Sequence, residues 1–123
     1  MNEASGEAKR FLHCHCSRCR KASGTGHATN LFLQPGTLKW LSGEEQVRAF
    51  KVPEAKRFTN TFCATCGGRL PRQAQGTDIV LIPAGSLDDE SPIAPQARIM
   101  HGSRAAWSCG GDGLPVFEEY PPQ

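Results

Sequence analysis

A mainly β domain with little helix is predicted by three features of this chain: its turn-residue content, the spacing of its β-prone runs, and the lack of any long periodic or apolar segment. The 123 residues include 13 glycines and 9 prolines, and such a share of turn formers favours many short elements over a few long helices. Runs rich in β-branched and aromatic residues recur between turn signals, with no heptad, internal repeat or low-complexity tract. A chain of this length supports one domain, burying roughly two-thirds of the surface its unfolded form exposes.

Taken in order, residues 1–10 (MNEASGEAKR) are small and polar and are expected to form a flexible N-terminus ahead of a domain over residues 11–119. Ser17 to Ser23 is predicted to be a short helical turn, closed by Gly24, a residue suited to the left-handed conformation that ends helices. Strands are expected over Ala28–Leu33, over Thr37–Leu41 after the Pro35-Gly36 turn, and over Gln46–Val52 between Ser42-Gly43 and Pro53. Arg57–Phe62 and Asp78–Ile82 continue the pattern. Leu114 and Phe117 are expected to pin an irregular tail whose last residues, 120–123, are loose.

Charge excludes little on its own. The formal net charge is +2, too small a field to announce nucleic acid or membrane, and sparse aromatics (7%) make a single-strand nucleic-acid partner unlikely on stacking grounds. The charge is unevenly spread, with 12 Lys and Arg against 5 Asp and Glu in residues 1–72, and 2 against 7 in residues 73–123. Two readings stay open, a basic face for an anionic ligand and two ordinary solvated faces. The start lacks an apolar run of signal-peptide length and no segment approaches the ~20 apolar residues of a bilayer span. A cytoplasmic protein is therefore expected. In that reducing compartment six cysteines are better metal or catalytic candidates than disulfides.

Five of the six fall in two clusters. Cys63-Ala64-Thr65-Cys66-Gly67-Gly68 has the form of a zinc knuckle, in which two thiolates three apart reach one ion and a following glycine permits positive φ. A redox dithiol is the competing reading, disfavoured because Gly67-Gly68 is a poor helix start. In His13-Cys14-His15-Cys16-Ser17-Arg18-Cys19-Arg20-Lys21, residues two apart on extended backbone face the same side, so Cys14 and Cys16 can share an ion to which the next turn brings Cys19. Cys14 as a buried spectator is the alternative. Arg18, Arg20 and Lys21 stand beside these thiols and would favour their ionised form, or else form a wet surface patch. His13 and His15 should alternate away from the thiols, as outer-sphere or exposed groups. His27 and His101 have no companion at metal spacing and read as ordinary residues. Cys109 reads as a small buried hydrophobe, with a recruited fourth ligand as the alternative.

Cys-His-Cys-x-x-Cys-Arg-Lys, then Cys-x-x-Cys-Gly, then Gly85-Ser86-Leu87-Asp88-Asp89 and Asp112-Gly113-Leu114-Pro115, in that order over Leu12 to Glu119, resemble the glutathione-dependent formaldehyde-activating enzyme family, which has a centromere-protein branch. The resemblance implies an Mss4-like fold of small stacked antiparallel sheets and two zinc ions per chain. It assigns a catalytic zinc with an open fourth position to Cys14, Cys16 and Cys19, and half of a four-cysteine structural site to Cys63 and Cys66. The family's other half-site, a Cys-x-Cys-Gly on an earlier strand, has no counterpart before Cys14. Either sequence upstream of Met1 carries it, or that strand is lost and a sheet edge is left exposed, which would suit a homodimer. Cys63 and Cys66 are then expected to borrow thiolates from the first cluster, as one mixed site, or to stay metal-free.

The activity implied is that of a carbon-sulfur lyase: addition of glutathione, or a related small thiol, to formaldehyde. Charge and proximity nominate Arg18, Arg20 and Lys21 for glutathione's carboxylates. The alternative is a zinc-stabilised binding module for protein or nucleic acid without catalysis, which the centromere branch and the basic first half would allow.

Overall fold

Residues 1–108 and 113–122 are described in the computed structural model. Seven strands form two sheets with one α-helix, which is the mainly β class expected. In chain order these are β1 (Asn2–Cys14), α1 (Ser17–Ser23), β2 (Ala28–Trp40), β3 (Val47–Lys51), β4 (Thr59–Cys63), β5 (Arg72–Gln73), β6 (Val80–Pro83) and β7 (Ala97–Ile99). The larger sheet has the order β5-β6-β2-β1-β7, and β3 with β4 forms the smaller one. All pairings are antiparallel except β1 with β7, which aligns Leu12 with Ala97 and Cys14 with Ile99.

One face of the larger sheet carries the core. Phe11 lies opposite Leu31, Leu31 opposite Ile82 and Leu33 opposite Val80, and these five side chains form a single buried cluster. Burying each is worth roughly 1.5–3 kcal/mol. The period of two puts their neighbours Leu12, Asn30, Phe32, Leu81 and Pro83 on the opposite face, the face that the cysteine end of β1 shares.

Residues 1–10 depart from the flexible N-terminus expected, because β1 begins at Asn2 and pairs with β2 from Asn2–Trp40 onward. Asn, Glu, Ser and Gly are poor strand formers, so the segment's local composition conceals the strand. Alternation decides the matter instead: Ala4 and Ala8 pack against the core while Glu3, Ser5 and Glu7 face solvent. Nor is the sheet stripped to an edge along its whole length here, since β7 covers Leu12 to Cys14.

The two strands expected over 28–33 and 37–41 are one. Pro35, which has no N–H to donate, sits where the β1–β2 ladder shifts register between Gly6 and Ala8, so no regular ladder bond is lost. Gly6 makes this possible. It has φ +144°, and a Cβ built there would lie 2.8 Å from Gly36 Cα and closer still to the Pro35 carbonyl oxygen. Because both obstacles are backbone, Gly6→Ala is expected to destabilise the fold by about 2–3 kcal/mol. Denaturant unfolding checks this, and a loss below about 0.5 kcal/mol would show that the strands part without cost.

The chain passes between the sheets twice, from β2 into β3 and from β4 into β5, and the second passage bears on the site. After β4, Cys63 to Gly68 turn back, Arg69 bridges Phe62, the Leu70 amide donates to the Thr61 carbonyl oxygen, and the chain enters β5 on the larger sheet. The tail also departs from expectation: Leu114 and Phe117 are 65% and 48% exposed, so neither pins it. Both lie in a glycine- and proline-containing stretch outside the strands and helix.

Candidate metal centre

Three short-range decisions place the first cysteine cluster. Cys14 ends β1, held between Ala28 of β2 and Ile99 of β7. Cys16 is the N-cap of α1, its backbone extended (φ −63°, ψ 157°) and its sulfur accepting the Cys19 amide at 3.3 Å. Cys19 is buried one turn into that helix, which ends at Gly24 in the left-handed conformation foreseen (φ 73°). The three sulfurs lie within 4.8 Å of one another, and among the described residues this is the group of His, Cys, Asp and Glu close enough to hold a metal ion. A tetrahedral ion with metal–sulfur bonds of ~2.3 Å sets its ligands about 3.8 Å apart, so the thiols need close by only about an ångström.

Their protonation is already differentiated. Burial pushes the Cys19 thiol up, and its hydrogen bonds to the sulfurs of Cys16 and Cys14 push it further. Burial also raises Cys14, outweighing the Cys16 amide and the Cys19 thiol that favour its ionised form. At Cys16 burial is overcome: the Cys19 amide, the thiols of Cys19 and Cys14 and the Arg18 amide together hold it below the usual thiol range. Cys16 is thus the most readily ionised of the three thiols.

Cys14 and Cys19 also line a cavity of about 180 Å³ between the two sheets. Its wall is largely apolar, with Ala28, Phe32, Leu81 and Pro83 from the larger sheet, and Thr59 and Thr61 come from β4. Arg69 and Arg72 enter it from the passage of β4 into β5. Of the three bases nominated by proximity, Arg18 and Lys21 are exposed, Arg20 is half-buried, and none lines this cavity. The pair Arg69 and Arg72 was not singled out in the sequence; two bases flanking Leu70-Pro71 directly after a knuckle are the only local signal, and pairing of β5 with β6 gives it meaning.

Cys63 and Cys66 lie in a separate turn. Gly67 has the positive φ expected of a knuckle (76°), the Gly67 amide donates to the Cys63 carbonyl oxygen at 2.8 Å, and the Gly68 amide reaches Cys66 Sγ at 3.4 Å. The amides of Cys66 and then Thr65 hold the Cys63 thiol below its usual range. The structure does not bring this pair into the three-cysteine group, so it does not assemble the mixed site offered as one expectation. Cys109 lies outside the described residues.

All four histidines converge, against the expectation that His27 and His101 are ordinary and unaccompanied. The rings of His13 and His27 are 4.2 Å apart, those of His15 and His27 5.1 Å, and those of His15 and His101 5.4 Å. Thr29, opposite His13 in the ladder, joins His13 Nδ1 at 2.7 Å and His27 Nδ1 at 2.9 Å. His15 is fully buried, neither exposed nor a ligand of the cysteine group, and contacts Arg98 at 3.3 Å and Ser108 at 3.3 Å. Burial first, then neighbouring charges including Arg98, lowers the pKa of His13, His15 and His27, which favours the neutral form of these three rings beside the strand end that carries Cys14. The β1–β2 pairing sets His27 against His13 and His15, and the parallel pairing of β7 with β1 brings Arg98 opposite His13 and His101 to His15 across more than 80 residues of chain.

Among solved structures, the chain is similar to the crystal structure of a Rhodobacter sphaeroides protein, with 19% identity, 79% of this chain and 91% of that chain covered, and a TM-score of 0.52. At that identity the likeness concerns the fold alone. No curated protein matches. Residues 2–103 match the family model described as glutathione-dependent formaldehyde-activating enzyme. That span includes β1 through β7 and both cysteine clusters, and the chain belongs to the glutathione-dependent formaldehyde-activating enzyme family.

Proposed function

We propose that this protein binds one zinc ion through Cys14, Cys16 and Cys19 and joins glutathione, or a related small thiol, to formaldehyde as a carbon-sulfur lyase of the S-hydroxymethylglutathione synthase type. The observation that carries this reading is the three-sulfur cluster with two of its members, Cys14 and Cys19, lining a cavity. Three protein ligands leave a coordination position for substrate, where zinc when bound supplies thiolate stabilisation or carbonyl polarisation.

The chain's own residues hold the reactants. Phe32, Leu81 and Pro83 give the cavity dry walls, which strengthen electrostatic contacts within it. In the reaction the thiol sulfur forms a bond to the aldehyde carbon, the carbonyl π bond breaks, and the proton given up by the thiol ends on the oxygen. No oxidant or reductant is consumed. Cytoplasmic residence agrees with this chemistry, since reduced thiols are both the ligands and the substrate.

Cys63 and Cys66 supply two thiolates without further partners in their turn, too few to close a zinc site, and in this reading they stay metal-free within one chain. Elemental analysis of purified protein is expected to give one zinc per chain, and zinc-loaded protein is expected to bind glutathione in calorimetric titration and to speed product formation above the unaided reaction. Two tightly bound zinc ions would overturn the single site. Absence of glutathione binding at millimolar ligand would overturn the enzymatic reading.

A further inference from the structure

We propose that Arg69 and Arg72 form a carboxylate-binding subsite in the cavity beside the cysteine cluster, and that they select thiols bearing a carboxylate. This rests on the reading that the cavity receives the thiol substrate.

Neither guanidinium has an ion-pair partner among the described residues, although Arg69 also borders a neighbouring cavity lined by Asp88, Asp89 and Glu90. Arg69 Nε is buried without a hydrogen-bond partner, a state that costs free energy unless something fills it. No Asp or Glu of the described residues lies within ion-pair distance of either guanidinium; the ion pair found there is Lys9 with Glu7, at 3.2 Å. Two cations therefore share one cavity without an acid. Burial, and then the charge of Arg69, pulls the Arg72 pKa down, and a bound anion would offset both effects.

Position supplies the rest. Both residues line the cavity that Cys14 and Cys19 line, and no acidic residue does. A planar guanidinium recognises a carboxylate through two parallel N–H donors, and a low-dielectric wall strengthens the pair. At about 180 Å³ the cavity is smaller than the ~300–1,000 Å³ that encloses a whole drug-sized ligand. It suits one carboxylate end of a peptide-like thiol, with the remainder outside. Backbone pairing holds this subsite in register: Arg69 bridges β4 and Arg72 pairs with Leu81 on β6, so neither base rides on a free loop.

S-methylglutathione keeps both carboxylates of glutathione and has no free thiol, so it probes the arginines apart from metal coordination. Calorimetry on zinc-loaded protein is expected to show that it binds and that Arg69→Gln and Arg72→Gln each weaken it by about 10- to 100-fold, with Arg72→Lys falling between. Wild-type binding should also weaken from low to moderate salt, a measurement that needs no variant to fold. Equal affinity in wild type and both glutamine variants would overturn the subsite, as would no binding of this probe to wild type. Loss of binding in an Arg18→Gln/Lys21→Gln variant with Arg69→Gln and Arg72→Gln unaffected would place the anion on the helix instead and also overturn it. The reading on which it rests fails separately, if glutathione binds no more tightly than S-methylglutathione to the zinc-loaded protein.

Discussion

Cys16→Ser is expected to weaken metal binding by about 100- to 1,000-fold while leaving the fold intact. Four-ligand zinc sites bind with roughly 10–16 kcal/mol, so one thiolate accounts for about 3–4 kcal/mol. The substitution separates ligand loss from structural damage because Cys16 is the N-cap of α1 and serine is among the best residues there. A hydroxyl can take over the Cys19 amide that Cys16 Sγ accepts at 3.3 Å, yet at neutral pH it offers no thiolate. Competition against a chromophoric chelator measures the affinity, and far-ultraviolet circular dichroism with thermal unfolding of the metal-free proteins verifies the fold. Cys63→Ser, outside the three-sulfur group, is expected to leave that affinity unchanged. Equal losses in Cys16→Ser and Cys63→Ser would mean that both clusters serve one ion.

The contrast between those two cysteines marks what sequence reading could reach. The Cys14, Cys16 and Cys19 arrangement is set by local rules, an extended end followed by a capped turn, and the helix over Ser17–Ser23 with Gly24 behind it stands where those rules put it. The knuckle glycine is equally local. What was hidden depends on pairing across the chain. β1 is written in poor strand formers and exists because β2 lies beside it. The four histidines meet because β2 sets His27 beside the end of β1 and β7, parallel to β1, adds His101. Arg69 and Arg72 line the same cavity as Cys14 and Cys19 because the passage from β4 to β5 bridges the two sheets there, whereas Arg18 and Lys21, adjacent to the thiols in sequence, are exposed on α1. Sequence neighbourhood does not place a base in the cavity, because Arg18 and Lys21 lie at exposed positions of α1 and none of the three bases beside the thiols lines that cavity.

Acidification is expected to release the metal steeply, by about 100-fold in affinity per pH unit between pH 7 and 6, and towards 1,000-fold where Cys16 is protonated too. The direction follows from the three thiols. Burial and mutual hydrogen bonding hold Cys14 and Cys19 above the usual thiol range, so both carry protons in the metal-free protein near neutrality, whereas Cys16 lies below that range and titrates first. The metal-bound state has three thiolates. Binding must then displace two or three protons, and each displaced proton costs a factor of ten per unit of pH below the thiol's own pKa. Raising pH drives binding and lowering it drives release. Chelator competition at pH 6 and 7 gives the slope, and calorimetry in buffers of different ionisation enthalpy counts the protons. A slope near tenfold would mean one titrating thiol and would dismiss Cys14 or Cys19 as a ligand. A slope of 100-fold or more, retained in Cys63→Ser and in the weaker-binding Cys16→Ser but cut towards tenfold in Cys14→Ser, would tie the proton release to the cluster at the end of β1.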